Sequence, residues 1–206
     1  ACRDNQVYDE WIVRDQGAMV RQIGYSPEEF AMITIEKEGG FDKAKQVLNK
    51  SDLKPSNYQP IAVKTNSAGE KYSKILNKIF TNEYDFKDYD RATNIYWPGN
   101  KLGHGRKDVV KLWSSLKNIL SDTKFKIEHV GYLDEPNRNP RASIRWSLEG
   151  VHSEDSKDYG KKTNSSLTII GINHAELNSY GIIKEWVLFD EVAIWKQILM
   201  NKNKNG

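Results

Sequence analysis

Apolar and polar positions run along this chain with two different periods, and the change of period divides it. Tyr72, Ile75, Leu76, Ile79 and Phe80 fall at i, i+3, i+4, i+7 and i+8, the stripe of an amphipathic helix. Val109, Leu112, Trp113, Leu116 and Leu120 define a second helix, expected to end near Asp122. Between them Asn94-Ile95-Tyr96-Trp97 reads as a short strand stopped by Pro98-Gly99, and Gly103-His104-Gly105 reads as a turn. Four strand-like segments follow: Phe125 to Tyr132, Ala142 to His152, Ser166 to Leu177 and Ile182 to Phe189. Turn-rich pieces separate them (DEPNRNP, SEDSKDYGKKTN, NSYG). Glu191 to Met200 closes the series as an amphipathic helix, and residues 201–206 are expected to be a disordered tail. This order predicts an α+β fold, a curved antiparallel sheet with helices on its concave side. LTIIGI (167–172) is apolar on both faces, so its strand is expected to be covered on both sides.

The N-terminal third has a different texture. Val7 to Val13 is β-like in composition, and Asp15 to Ile23 takes helical spacing until Gly24. Ser26-Pro27-Glu28-Glu29 is a helix start, with Ser as N-cap, Pro at the first helical position and Glu at the third. Gly39-Gly40 ends that helix, and residues 49–69, rich in Pro, Ser, Asn and Lys, read as a linker. One phrase occurs twice: EWIVRDQGAMVRQI (10–23) and EWVLFDEVAIWKQI (185–198) share six of fourteen positions without a gap. Composition alone gives about one such identity. Self-similarity at this offset suggests duplication, with residues 1–66 as the tail of a preceding copy plus linker and 67–200 as a whole copy. The other reading is convergence of two unrelated strand-to-helix junctions. Val7, Trp11, Val13, Met19 and Ile23 are expected to pack somewhere, since exposure would leave a sticky patch.

Charge narrows the partners. Lys+Arg 31 against Asp+Glu 28 leaves +3, with signs alternating along most of the chain, so no nucleic-acid partner is indicated. No apolar run reaches the roughly eighteen residues of a membrane helix, which predicts a soluble chain. The missing initiator Met and signal peptide point to a processing site or to a boundary inside a longer polypeptide, and the repeated phrase favours the second. A cytoplasmic location is expected, with secretion or a lipid anchor left open. Cys2 is the single cysteine, so no internal disulfide or cysteine-based metal site is available. The four histidines are scattered without paired carboxylates, so neither a metal nor another cofactor is expected. Phosphate loop, dinucleotide fingerprint and nucleophile elbow are all missing.

RWSLEGVHS (145–153), SSLTIIGINHAE (165–176), GIIKEWVLFDE (181–191) and VAIWKQI (192–198) resemble the SnoaL-like polyketide cyclases, a group within the nuclear transport factor 2-like superfamily. The resemblance covers about residues 70–200. It implies a cone-shaped half-barrel around long helices, a pocket at the wide end and homodimers in many members. It also implies an aspartate on the last strand as general acid/base, with a polar pair on the strand before. The Asp of Trp-x-x-x-Asp is Asp190, and the pair is His174 and Glu176, where the cyclases resemble a Gln/His pair.

Each candidate carries two readings. Asp190 in an apolar pocket has a raised proton affinity suited to aldol chemistry, yet it immediately precedes a helix and is a natural N-cap, as is Asp15. His174 and Glu176 lie two apart on a strand and share a face, concave in one reading and solvent-facing in the other. Trp146 shares parity with Ile144, Leu148 and His152, a row that the resemblance implies lines the cavity with His152 toward its mouth; His152 also reads as a strand-end residue. Trp97, Trp113 and Trp186 form either a slot for a flat ligand or plain core. His104 suits a pocket rim or a turn. Two functions follow: a cofactor-free cyclase, isomerase or dehydratase acting on a hydrophobic carbonyl compound, or a non-catalytic ligand-binding or assembly domain of the same fold.

Overall fold

The structure is a computed structural model that describes all residues except 1, 8, 9, 11, 46, 49–61, 82, 83, 85, 205 and 206. Its centre is a mixed sheet of six strands in the order β4-β3-β8-β7-β6-β5. These are β3 (Tyr89–Trp97), β4 (Lys101–His104), β5 (Leu120–Leu133), β6 (Arg141–His152), β7 (Ser166–Asn178) and β8 (Gly181–Phe189). All neighbours run antiparallel except β3 and β8, which pair in parallel. Helices α3 (Ala68–Thr81), α4 (Gly105–Lys117) and α5 (Glu191–Lys204) pack on the sheet. The expected α+β architecture, a curved and unclosed sheet on helices, is what the chain adopts.

The helical stripe Tyr72, Ile75, Leu76, Ile79 and Phe80 is buried on α3, as its spacing requires. Inward rows of the strands complete the core, including Ile95 and Trp97 on β3, Ile144, Trp146 and Leu148 on β6, and Val187 and Phe189 on β8. Aromatic rings fill it: Phe80 stacks on Phe125 with centroids 4.3 Å apart, and Trp97 meets Trp113 edge-on at 5.0 Å. Such contacts add about 0.5–1.5 kcal/mol each beyond area burial.

Local differences from the sequence reading have physical causes. Gly103 and His104 are not a turn: Pro98 to Asn100 makes the turn, and residues 101–104 return as β4 against β3. The second helix stops at Lys117, and Leu120 opens β5 instead. Helix α5 continues through residues 201–204, which were expected to be disordered. Ile170 and Ile172, on the outer side of β7, are half-buried by their neighbours in the sheet. The linker expectation falls mostly outside the described residues.

In the N-terminal part, α1 (Gln16–Gln22) and α2 (Pro27–Lys37) pack on α5. The Ser26 capping box is complete. Asp15 caps α1 through Ala18 N, as Asp190 caps α5, so the shared phrase repeats its cap and its helix. It does not repeat its strand. Residue 7 belongs to a two-residue strand (β2, Gln6–Val7) paired with β1 (Cys2–Arg3), and residues 10 and 12–15 join no ladder. Burial is inverted as well: Ile12, Met19 and Ile23 are exposed, whereas their matches Val187, Ile194 and Ile198 are buried. With Val7 exposed too, the expectation that this apolar set packs away fails for Val7, Met19 and Ile23, while Val13 is half-buried; Trp11 lies outside the described residues. Val20, Ala31 and Ile35 are buried against the core, and charge adds to the hold through Arg21 on Glu191 and Lys196 on Glu38.

One edge is closed by side chains. Strand β8 ends at Phe189 opposite Gly171, so residues 166–170 of β7 extend past it. Gln197 of α5 fills that gap: its Oε1 accepts from Thr168 N at 2.8 Å and its Nε2 donates to Thr168 O at 2.9 Å. Asn201 donates to Ser166 O. Edge groups left open are templates for foreign strands. Gln197→Ala is expected to speed hydrogen exchange at the Thr168 amide about fivefold, as the loss of roughly 1 kcal/mol implies; an unchanged rate would remove the capping role.

Candidate functional site

The sheet brings together a polar cluster that the expected set does not contain. Glu185 of β8 is inward-facing and 0% exposed. Its Oε1 accepts from Tyr72 Oη of α3 at 2.6 Å, and its Oε2 from Tyr89 Oη of β3 at 2.8 Å. Trp113 Nε1 of α4 donates at 3.3 Å, and Asn173 Nδ2 of β7 stands 3.4 Å away. Helix and strand origins therefore differ for every donor, and only the tertiary fold assembles them.

The chain of donors has one direction. Indole is donor-only, so Trp146 Nε1 must give its hydrogen to Asn173 Oδ1, at 2.8 Å. That turns the Asn173 amide nitrogen toward Tyr72 Oη, at 2.9 Å. Tyr72 then spends its own proton on Glu185. Burial pushes the Glu185 carboxyl up from its ordinary range, against the opposing pull of the four hydrogen bonds. Burial and the nearby carboxylate push the Tyr72 and Tyr89 phenols far above theirs, so both remain protonated donors.

The residues expected from the sequence lie elsewhere. His174 is exposed on the outer face, opposite Trp186 in register, and burial against its neighbours lowers its pKa. Glu176 is on that same face, held by Asn139 at 2.8 Å and facing Lys184. The reason is parity: Asn173, Ala175 and Leu177 take the inward row, so 174 and 176 point out. Trp186 is also outward, stacked on Tyr96 at 5.4 Å, and lines no inner slot. Asp190 is a cap, accepting from Val192 N at 2.9 Å and Ala193 N at 3.2 Å. Burial, with Asp15 and Glu191 nearby, raises its pKa to about 6. It stands five residues beyond Glu185, about 16 Å along the strand. The expected meeting of His174, Glu176 and Asp190 does not occur.

Trp146, Trp97 and Trp113 are inward, as parity and spacing indicate, and are packed in the core. His152 is buried at the far end of β6, with Nδ1 3.2 Å from Thr163 Oγ1 and its pKa lowered by burial. His104 is exposed, its Nδ1 2.6 Å from Asn94 Oδ1. Among the described residues no three His, Cys, Asp or Glu side chains group as a metal site, and no helix is long and apolar enough to cross a membrane.

No protein-family profile matches the chain, and no curated protein matches it. Solved structures do. A SnoaL-like polyketide cyclase from Agrobacterium tumefaciens superposes with a TM-score of 0.50 at 14% identity, over 65% of this chain and 99% of its own. A candidate SnoaL-like polyketide cyclase from Jannaschia sp. CCS1 gives 0.51 at 10% identity, over 66% and 97%. A candidate polyketide cyclase from Silicibacter sp. TM1040 gives 0.52 at 9%, over 64% and 96%. The fold is the SnoaL-like, nuclear transport factor 2-like fold. At such identities the likeness concerns architecture, and the chemistry of this chain must be read from its own residues.

The signal for those residues is local. Glu185 shares a row with Val187 and Phe189, a charged side chain among core residues, and Asn173 interrupts the inward row of β7 in the same way. Tyr72 and Tyr89 carry no comparable mark, because a tyrosine in an apolar stripe is ordinary core.

Proposed function

We propose that the SnoaL-like domain binds a hydrophobic, carbonyl-bearing small molecule on the inner face of the sheet. There it moves a proton without a cofactor, using Glu185 as the acid/base group. The observation that carries this reading is the convergence of three titratable side chains, Glu185, Tyr72 and Tyr89, on one fully buried spot. A carboxylate with raised proton affinity is suited to taking a proton α to a carbonyl. Phenols held protonated by the same burial are the donors that a developing enolate oxygen needs. In the step so drawn, the C–H proton passes to Glu185, the negative charge moves to the substrate oxygen, and the tyrosine donors follow it. Return of the proton to carbon or to a new alkoxide completes an isomerisation or ring closure. The description of several structural neighbours as polyketide cyclases supports this class of substrate.

The complete burial of Glu185 favours a second reading, in which the cluster specifies the core of a non-catalytic binding or assembly domain. Exchange of α-protons in a diketide mimic, followed by NMR in deuterated buffer, separates the two. Glu185→Gln is expected to lower the exchange rate by on the order of 10²-fold or more, while Asp190→Asn leaves it unchanged. Equal rates in parent and Glu185→Gln would remove the catalytic role of Glu185. No exchange above buffer by the parent would leave the second reading.

A further inference from the structure

A concavity on the surface shares no residue with the Glu185 cluster. One wall is α5, which contributes Trp195, Ile198, Leu199 and Lys202; the other is the 159–163 loop, with Glu28 of α2 at the margin. The space between them is about 440 Å³. The loop is a folded structure. Ser156 N donates to Gly160 O at 2.8 Å, and Tyr159 N donates to Ser156 Oγ at 2.8 Å. Asp155 accepts from Lys161 Nζ and Lys162 N, which fixes the two-lysine segment. Gly160 has φ +72°, and a Cβ there would stand 3.0 Å from Trp195 Cη2, so the loop backbone lies directly against the indole.

The chemistry of the walls selects a ligand. The α5 wall is apolar and aromatic, which suits a hydrocarbon or aromatic body. The rim is cationic. Lys161 is paired with Asp155, whose charge also acts on Lys162; neither Lys162 nor Lys202 has an ion-pair partner among the described residues, and Glu28 is the single acid lining the cleft. Three lysines against Asp155 and Glu28 leave a surplus of one positive charge, which suits a monoanion. The cleft is lined by no arginine, whose planar fork suits phosphate, and the lysines act as point charges beside an apolar floor. We propose that this cleft binds a hydrophobic monocarboxylate, its body on Trp195, Ile198 and Leu199 and its carboxylate between Lys162 and Lys202. The site is independent of any chemistry at Glu185.

Calorimetric titration of the full chain at low ionic strength tests this, with naphthalene-2-carboxylate as the probe. Its neutral methoxy and cationic methylammonium analogues are the controls. The carboxylate is expected to bind at least tenfold tighter than either control, and to weaken as salt screens the lysines. Lys162→Glu with Lys202→Glu is expected to lower its affinity by about tenfold or more, because both side chains are exposed and their reversal leaves the fold intact. The milder Lys162→Gln with Lys202→Gln should fall between. Glu185→Gln is expected to bind the probe as the parent does. Equal affinity for the neutral or cationic analogue would overturn the proposal. So would an unchanged affinity in the charge-reversed variant, or loss of binding in Glu185→Gln, which would place the probe in the core instead.

Discussion

Glu185→Ala is expected to destabilise the protein by roughly 3 kcal/mol, a fall in Tm of about 6–12 °C for a chain of this size. The substitution orphans the Tyr72 and Tyr89 hydroxyls and the Trp113 indole hydrogen, all in the buried core. Each orphan costs about 1–3 kcal/mol, and the offset is the relief of burying a carboxylate. Glu185→Gln keeps the volume and one acceptor oxygen, so its cost is much smaller. The two variants also differ from the parent in pH response. Burial raises the folded-state pKa of Glu185 above the unfolded value of 4.5, so the native state holds the proton more tightly. The favourable contribution is complete below the unfolded pKa and is lost as pH rises through the folded one. Asp190 titrates with the same sign, its pKa raised from 3.8 to about 6, and other shifted carboxylates and histidines add to the parent's stability slope. Subtracting the urea-derived stability of Glu185→Gln from that of the parent at each pH isolates the Glu185 contribution. The difference should decline as pH rises above 4.5, and a flat difference would show that Glu185 is not shifted.

Gly171→Ala is expected to cost about 3 kcal/mol or more, from one methyl group. Gly171 lies on the inward row of β7 opposite Trp146, whose buried ring occupies the space of the missing side chain. A Cβ would stand 2.6 Å from Trp146 Cη2 and closer still to Cζ2 and Cε2. Neither partner can yield: one is backbone in a central strand, the other a rigid ring in a packed core. Moving the ring also breaks its bond to Asn173, so the Glu185 centre loses its support. Trp146→Leu in the Gly171→Ala background should recover part of the loss, giving a coupling energy of about 1–2 kcal/mol in a double-mutant cycle. Additive costs by urea denaturation would exclude the clash.

The elements were legible because their periods are clean. The α3 stripe and the four long strands need only local pattern, and they occur where the pattern puts them. Strand β4 is not legible, since Lys-Leu-Gly-His has no alternation to show. Its Gly103 is there because a side chain would run into Asp108, Ile95 and Leu112. The parallel pairing of β3 with β8 joins residues about ninety apart in sequence, beyond the reach of any local signal. Parity explains the misplaced site. Strand β7 is apolar on both faces, so which row faces in is decided by α5 and by the register with β6 and β8, not by composition. The cap at Asp190 was readable from its position alone, whereas the assembly of Tyr72, Tyr89, Trp113 and Asn173 around Glu185 exists only after folding.

The single permitted direction from Trp146 through Asn173 and Tyr72 has a further consequence. A loop of hydroxyls or waters could reverse as a whole and would hold two equivalent arrangements of its hydrogens. This run begins at an indole that cannot accept and ends at a carboxylate that, once ionised, cannot give. With Glu185 ionised its hydrogens therefore have one resting pattern, and under the proposed function no orientational search would precede a transfer there.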